Sequence, residues 1–473
     1  MVTARPLCMD LDGTLHRSDM LYESVCHLLK ANPLYLFCFP LWILGGLAAF
    51  KRKVAERIDF DPAVLPYIDE ALKFTAAAKA AGRRIVLATA SDRLIADKVA
   101  RHLGCFDEVI ASDGITNYTG RVKAQCLVEK FGAQGFDYGG DRNKDLEIWP
   151  YGHTPVVVTA NRRLAAQVLK RWPEAQIFLQ PSGVLEQFVR ALRTHQWVKN
   201  LLIFAPLIMA HHWRDSAAWL RVGLAFSAFC LTSSSVYVLN DLLDLESDRH
   251  HRHKRDRPFA SGRLSVLVGM LSWPLLLAMG VLLGSLVNAG FLSALFFYWA
   301  LTLCYSLKAK QIMVLDICVL ASLYTMRVLA GGYAGEVVVS EWLLAFSMFM
   351  FFSLACIKRF SELYNLRKDN KERIKGRAYR ASDLEQISQF GSASAYISVL
   401  VLALYVSSAE IRQLYSNPQV LWLVCPVLLY WLSRIWLIAH RGELHEDPIV
   451  FAISDLVSYI SGLLCLLVVI LAI

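Results

Sequence analysis

Hydrophobic positions along this chain follow two different rules. Up to about residue 190 the apolar runs are short and are broken by charged stretches, the pattern of buried strands alternating with solvent-facing helices. Residues 5–16, RPLCMDLDGTLH, open with such a run, which predicts a buried strand followed by a Gly-Thr turn. Arg84–Ala90, RIVLATA, predicts a second. From residue 198 onward the runs lengthen. Nine apolar spans are counted, roughly 199–212, 217–239, 264–287, 290–306, 312–333, 342–360, 391–409, 418–439 and 451–473, which predicts a bundle of membrane helices. Residues 33–50, PLYLFCFPLWILGGLAAF, fit neither rule. The run is marginal in length for a span, and Pro40 and Gly45-Gly46 break it as a single helix. It predicts a helical hairpin lying in the membrane interface, anchored by Lys51, Arg52 and Lys53.

Composition sharpens this division. At 473 residues the chain should hold at least two domains, and 56% hydrophobic residues are too many for a soluble protein. The net charge of +9 does not indicate nucleic acid. Its basic residues lie in loops between apolar spans, without interleaved aromatics, and so suit anionic headgroups and phosphates. Alternate loops carry them: Arg249 to Arg263 after the second span, Lys308 and Lys310 after the fourth, Lys358 to Arg380 after the sixth, and Arg441 after the eighth. The intervening loops offer little beyond Arg214, Arg221 and Arg412. The positive-inside rule puts the basic loops in the cytoplasm and the C-terminus outside. Asp10 and Asp12 interrupt the N-terminus, so no signal peptide is expected and the first domain should remain cytoplasmic, on a multi-pass protein of the inner membrane. The eleven cysteines form no CxxC pair and read as reduced, buried hydrophobes.

The polar residues of the N-terminal region fall in a telling order. Asp10 and Asp12 follow the first strand, Thr89, Ser91 and Asp92 end the second, Lys123 lies in GRVKAQ, and Asp141 and Asp145 lie in YGGDRNKD. Two carboxylates at a strand's C-terminal end mark a loop where a metal and a phosphate can meet. The order resembles that of the haloacid dehalogenase-like phosphatases, over residues 5–185, with a match to all four family motifs. The resemblance implies a Rossmann-like α/β domain, residues 1–185, with the segment 33–55 inserted where a helical cap belongs. By it Asp10 is the nucleophile, Asp12 the general acid/base, and Thr89 a phosphoryl-oxygen ligand, a role that Ser91 could equally fill. Lys123 neutralises the intermediate. Asp10, Asp12, Asp141 and Asp145 serve Mg²⁺. The residue types suit that chemistry, since a carboxylate attacks phosphorus only when a metal and an ammonium offset the charge repulsion. A decayed domain kept for folding or docking is the competing reading.

Among the apolar spans a single stretch stands apart, NDLLDLESDRHHRHKRDRPFASGR at 240–263. On a helix Asp241, Asp244 and Asp248 would share a face, with Asn240 beside it. Oxygen-only ligands favour Mg²⁺ or Ca²⁺. Lys254, Arg255 and Arg257 follow, and acid followed by base suits a Mg²⁺-bound diphosphate. This motif after the second of nine spans resembles the UbiA family of membrane-embedded transferases, over residues 186–473. The resemblance implies an all-α polytopic domain around a cavity. The family's second Asp-rich motif is replaced here by YSLKAKQIMVLD, with Lys308, Lys310 and only Asp316. That departure, with QWVKN (196–200), KRDRPFASG, the Arg327 segment, KRFSEL, GRAY and HEDP, is similar to the decaprenyl-phosphate phosphoribosyltransferase branch. It implies transfer of 5-phosphoribose from phosphoribosyl diphosphate to a polyprenyl phosphate. The metal-binding residues implied are Asp241, Asp244 and Asp248. The substrate-binding residues implied are Lys199, Asn200, Asn240, Lys254, Arg255, Arg257, Lys308, Arg327, Lys358 and Arg377.

Several residues remain open on sequence grounds. Lys358 and Arg359 could bind phosphate or anchor the end of the sixth span. Arg327 could line a cavity or pair with an acid, and Asp316 could pair with a lysine. His250, His251 and His253 lack the spaced partners of a zinc site and read as loop charge. The competing functions are an aromatic prenyltransferase with a polyprenyl diphosphate donor and a non-catalytic scaffold.

Overall fold

The computed structural model describes residues 5–181, 183–252, 254–370, 372, 378–444 and 448–473. Gly376 and Arg377 of GRAY, His253, and the first three residues of HEDP lie outside the described residues. The chain divides into two compact units. One comprises everything up to Leu192 together with Tyr237–Pro274, and the other Arg193–Val236 with Leu275–Ile473. The acidic stretch predicted for the membrane domain thus belongs to the same compact unit as the N-terminal fold.

The first unit is built on six parallel strands, β1 (Leu7–Met9), β2 (Ile85–Asp92), β3 (Glu108–Ser112), β4 (Asp137–Gly140), β5 (Pro155–Thr159) and β6 (Gln176–Leu179), in the order β3-β2-β1-β4-β5-β6. β1 and β5 are buried throughout, as a sheet covered on both faces requires. The connections are helices α1 (Met20–Ala31), α2 (Phe39–Leu44), α3 (Leu47–Ala55), α4 (Asp69–Ala80), α5 (Arg93–Leu103), α6 (Arg121–Phe131) and α7 (Arg162–Arg171), with α8 (Val184–Leu192) after the last strand. Side chains set where helices start. Asp19 accepts the Leu21 N–H at 3.0 Å to cap α1, and Asp92 accepts that of Leu94 at 2.9 Å to cap α5. Strand order reverses direction at β1, which has β2 on one side and β4 on the other, so the crevice at their carboxyl ends is where ligands bind in such sheets.

The inserted segment is a 3-10 turn, Pro33–Cys38, then α2 and α3. Pro40 lies in the first turn of α2, where a missing N–H costs nothing, so it starts that helix instead of breaking one. Gly46, at φ 91°, makes the turn to α3. Phe37 is 76% exposed and Leu44 84%, with Leu34, Leu36, Leu41, Ile43 and Leu47 also exposed. Two of the three cations after it point elsewhere than expected. Lys51 donates to the Ala90 carbonyl at 2.6 Å and to Asn117 at 3.0 Å, and Arg52 pairs with Asp92 at 3.1 Å. One turn of α3 places both against the end of β2, so they fasten the insertion to the sheet.

After α8 in sequence, helices α9 (Ala205–Met209), α10 (Ser216–Leu243), α11 (Leu245–Arg249), α12 (Val266–Ser285), α13 (Ala289–Leu307), α14 (Leu315–Gly335), α15 (Glu341–Lys368), α16 (Leu384–Val406), α17 (Ala409–Leu414), α18 (Val424–His440), α19 (Pro448–Ser454) and α20 (Leu456–Ala472) complete the chain. Among the described residues seven helices are long and apolar enough to cross a membrane. They match the second to eighth predicted spans. The ninth is split into the short α19 and α20, and the first is a 3-10 segment, Thr194–Phe204, running into α9. The protein is an integral membrane protein by these helices.

Candidate functional sites

The crevice at the carboxyl ends of β1 and β4 gathers the first set of residues. Asp10, Asp141 and Asp145 each offer an oxygen, all within 4.8 Å of one another, and they form the one such group of potential metal ligands among the described residues. Backbone geometry holds them. Asp145 Oδ2 accepts the N–H groups of Asp141 and Arg142 at 3.0 and 2.9 Å, closing the turn after β4. Gly13, at φ 75°, lies so close that a Cβ there would sit 2.1 Å from Asp141 Oδ2, so only glycine lets the two loops meet. Lys123 Nζ donates to Asp10 Oδ2 at 2.8 Å and to Tyr138 Oη at 2.9 Å, and Tyr138 in turn donates to Asp145 Oδ1 at 3.1 Å. Burial raises Asp141 well above the usual carboxylate range, and Asp145 and Asp10 beside it add to this; burial and then Asp10 raise Asp145. Three crowded carboxylates with one ammonium fit a hard divalent cation, which removes that repulsion. These residues would hold Mg²⁺, and it would supply charge neutralisation toward a phosphoryl group.

Asp12 has a different setting. Burial raises its pKa, but the hydrogen bond and charge of His16, the Ser91 hydroxyl at 2.6 Å and the Met20 N–H at 2.8 Å outweigh that and hold it at about 2. His16 is fully buried, accepts the Ser18 N–H at its Nδ1 at 3.2 Å, and so presents Nε2 toward Asp12 Oδ1 at 3.3 Å. A carboxylate held this low is ionised and only weakly basic near neutral pH. Thr89 is fully buried at the end of β2, and its Oγ1 accepts the Ser91 N–H at 3.0 Å. The Ser91 hydroxyl donates to Asp12. Sequence reasoning missed His16, Tyr138 and Arg142, which pairs with both Asp19 and Asp141 at 3.1 Å. Only the position of His16 beside the DLDGTL motif could have signalled it.

The acidic stretch is arranged differently from the expected single face. α10 ends at Leu243, Asp244 breaks the helix at φ −102° and ψ 14°, and α11 resumes at Leu245. Asp241 and Asp248 are buried and converge on one guanidinium, with Arg257 Nη1 3.1 Å from Asp241 Oδ1 and 2.6 Å from Asp248 Oδ2. Burial raises the pKa of Asp248, and Asp241 adds to this against the pull of Arg257. Asp244 receives Lys30 of α1 at 3.0 Å. Two of the three carboxylates thus converge on Arg257. That set fits Mg²⁺ when a diphosphate supplies the remaining oxygens. Asn240 is half-buried, and Lys254 and Arg255 are exposed beside the loop.

In the second unit Lys199, Asn200 and Arg327 come together. Arg327 donates from Nε to Asn200 Oδ1 at 2.8 Å, from Nη1 to the Leu323 carbonyl at 2.5 Å and from Nη2 to Tyr298 Oη at 2.9 Å. Lys199 Nζ lies 5.7 Å from the centre of the Tyr324 ring, against which the Arg327 guanidinium also packs. The guanidinium of Arg327 is thus engaged inside the bundle by neutral oxygens and rings. Asp316, fully buried, pairs with Arg359 Nε at 2.9 Å and accepts from Tyr379 Oη at 2.6 Å, so its partner is an arginine and not a lysine. Tyr379 also accepts the Val314 N–H at 2.7 Å, which fixes Val314 at a strained φ of 64°. Arg359 is fully buried and also pairs with Glu362, which makes it a structural tie and not an anchor at the membrane surface. Lys358 is half-buried and Lys308 exposed.

Comparison with known proteins adds to this geometry. The family model of the UbiA prenyltransferase family matches residues 201–461, and that of haloacid dehalogenase-like hydrolase matches residues 7–133. A Sinorhizobium fredii protein named "Uncharacterized protein y4nM" is 37% identical over 97% of this chain and 89% of its own length. Nodulation protein NoeC of Azorhizobium caulinodans is 37% identical over 59% of this chain and 90% of its own. Decaprenyl-phosphate phosphoribosyltransferase of Mycolicibacterium smegmatis is 34% identical over 39% of this chain and 59% of its own. A UbiA homolog from Archaeoglobus fulgidus, solved with DMAPP and Mg²⁺, aligns with 60% of this chain and 99% of its own at 17% identity and a TM-score of 0.48.

Proposed function

The chain belongs to the UbiA prenyltransferase family and carries a haloacid dehalogenase-like hydrolase domain ahead of the membrane helices, and from that membership we propose a two-step enzyme. The first step moves 5-phosphoribose from phosphoribosyl diphosphate to a polyprenyl phosphate, releasing diphosphate. The second removes the 5′-phosphate of the lipid product. The observation that carries the first step is the loop in which Asp241 and Asp248 converge under Arg257, with Lys254 and Arg255 next to them. Mg²⁺ held there with the diphosphate would offset the leaving-group charge. Arg257, Lys254 and Arg255 take phosphate oxygens, and the lipid phosphate, already ionised, attacks C1 without a general base. The relatives named decaprenyl-phosphate phosphoribosyltransferase support this choice of substrates. So does Asp316, whose commitment to Arg359 leaves the fourth loop without an acidic cluster of the kind an aromatic prenyltransferase would use.

In the second step Asp10 attacks the phosphorus as its bond to the ribose 5′-oxygen breaks, Asp12 as general acid passes a proton to that leaving oxygen, Lys123 offsets the charge on Asp10, and Asp12 then takes a proton from the water that frees the phosphate from Asp10. The exposed apolar insertion would sit at headgroup level, on the cytoplasmic face where the basic loops also lie. The test of the transfer step uses membranes with labelled phosphoribosyl diphosphate, polyprenyl phosphate and Mg²⁺. Label should enter the organic phase, and Asp241→Ala should cut this by about a thousandfold or more. Label moving instead from a polyprenyl diphosphate to an aromatic acceptor would overturn the reading.

A further inference from the structure

Helix α1 is part of the hydrolase-like fold, yet one face of it meets the acidic loop. Glu23, His27 and Lys30 stand at i, i+4 and i+7, and so point the same way. Glu23 accepts from both terminal nitrogens of Arg249, at 2.8 and 2.5 Å, and the pair is almost fully buried. The third nitrogen of Arg249, Nε, donates to the Ala260 carbonyl at 2.8 Å. A single guanidinium therefore ties α11 to the far end of the loop, and Glu23 supplies the counter-charge that lets it stay buried. His27 lies 3.3 Å from Glu246, Lys30 3.0 Å from Asp244, and His250 3.5 Å from Asp61. Gly262, at φ 69°, closes the loop so tightly that a Cβ there would meet Arg17 at 2.6 Å. The stretch between these ties holds Asp248 and Arg257, which converge with Asp241.

We propose that Glu23 is a positioning residue for the transferase: through Arg249 it fixes the loop that carries Asp248 and Arg257 in the geometry that receives the diphosphate. The inference rests on the transferase reading of that loop. It makes the N-terminal domain part of the transferase whatever its own chemistry, because the loop is held by α1 and not by the hydrolytic residues. A bidentate, buried pair has the strength for this, whereas the exposed Lys30–Asp244 pair adds only a little.

The test uses the full chain in membranes or detergent. In Glu23→Ala, kcat/KM for phosphoribosyl diphosphate should fall about tenfold or more. Amides of residues 245–252 and 254–262 should exchange about tenfold faster while those of β1 and β2 keep their protection. Combining Glu23→Arg with Arg249→Glu should recover much of both, which a purely local loss of packing would not do. Lys30→Ala should move the same readouts by about twofold and serves if Glu23→Ala does not fold. Wild-type transfer and loop exchange in a folded Glu23→Ala protein would overturn the proposal, as would equal loosening of sheet and loop, or no recovery in the exchanged pair. Absence of transfer by the wild-type protein would refute the functional reading instead, and loop exchange would then decide the positioning claim.

Discussion

At the scale of single residues, the two sites handle negative charge in different ways. Asp10, Asp141 and Asp145 crowd together with the Lys123 ammonium on Asp10 and the Arg142 guanidinium on Asp141, whereas Asp241 and Asp248 share Arg257. Asp141 and Asp145 have folded pKa values above the ordinary 3.8, so in that window the folded chain holds protons the unfolded chain has lost. Their contribution to stability therefore falls as pH rises, and Mg²⁺ binding must displace those protons. The rise in melting temperature on adding Mg²⁺ should accordingly be larger at about pH 8 than at about pH 5; an equal or opposite trend would remove the metal assignment. Asp316 and Arg359 form the other critical pair. Arg359→Ala leaves a buried carboxylate uncompensated and should cost about 3–5 kcal/mol, read as a loss of thermal stability in detergent, and a joint change of Asp316 and Arg359 to apolar residues should recover most of it.

At the scale of elements, the insertion between α1 and α4 pairs an exposed apolar surface with a polar tie to the sheet. Its apolar side chains are exposed while Lys51 and Arg52 fasten it beside β2. Leu41→Glu with Leu44→Glu should lower kcat/KM for a lipid-linked phosphate about tenfold and leave hydrolysis of p-nitrophenyl phosphate alone. A parallel fall on both substrates would mean that the insertion serves folding instead. The insertion's apolar character was legible because composition is local. So was the meeting of the Asp10 and Asp141 carboxylates, because both follow strands whose buried runs are visible in the sequence. What hid was long-range. Glu23 and Arg249 are 226 positions apart and Lys30 and Asp244 are 214 apart, and no spacing rule joins them. The break at Asp244 hid for a related reason: the i, i+3, i+7 pattern assumes an unbroken helix. Lys51 and Arg52 were misjudged because a cation beside an apolar run looks the same whether it meets headgroups or a strand end.

At the scale of the whole molecule, the two-step reaction requires the acidic loop and the hydrolase domain to share one side of the membrane. A cysteine placed at Arg367 should react only from the cytoplasmic side and one at Asn417 only from outside; the reverse pattern would invert the orientation. Fusion on one face raises the effective concentration of the second site for the product of the first, provided both reach the lipid-held sugar. The most direct measurement follows phosphoribosyl diphosphate carrying one label in ribose and another in the 5′-phosphate, with polyprenyl phosphate and Mg²⁺, in membranes holding the wild-type chain or Asp10→Asn. Both labels should enter the lipid fraction together, and in the wild type the phosphate label should then leave while the ribose label stays. In Asp10→Asn both should remain. A lipid that keeps its phosphate label in wild-type membranes, or a fraction that gains no ribose label, would contradict the account.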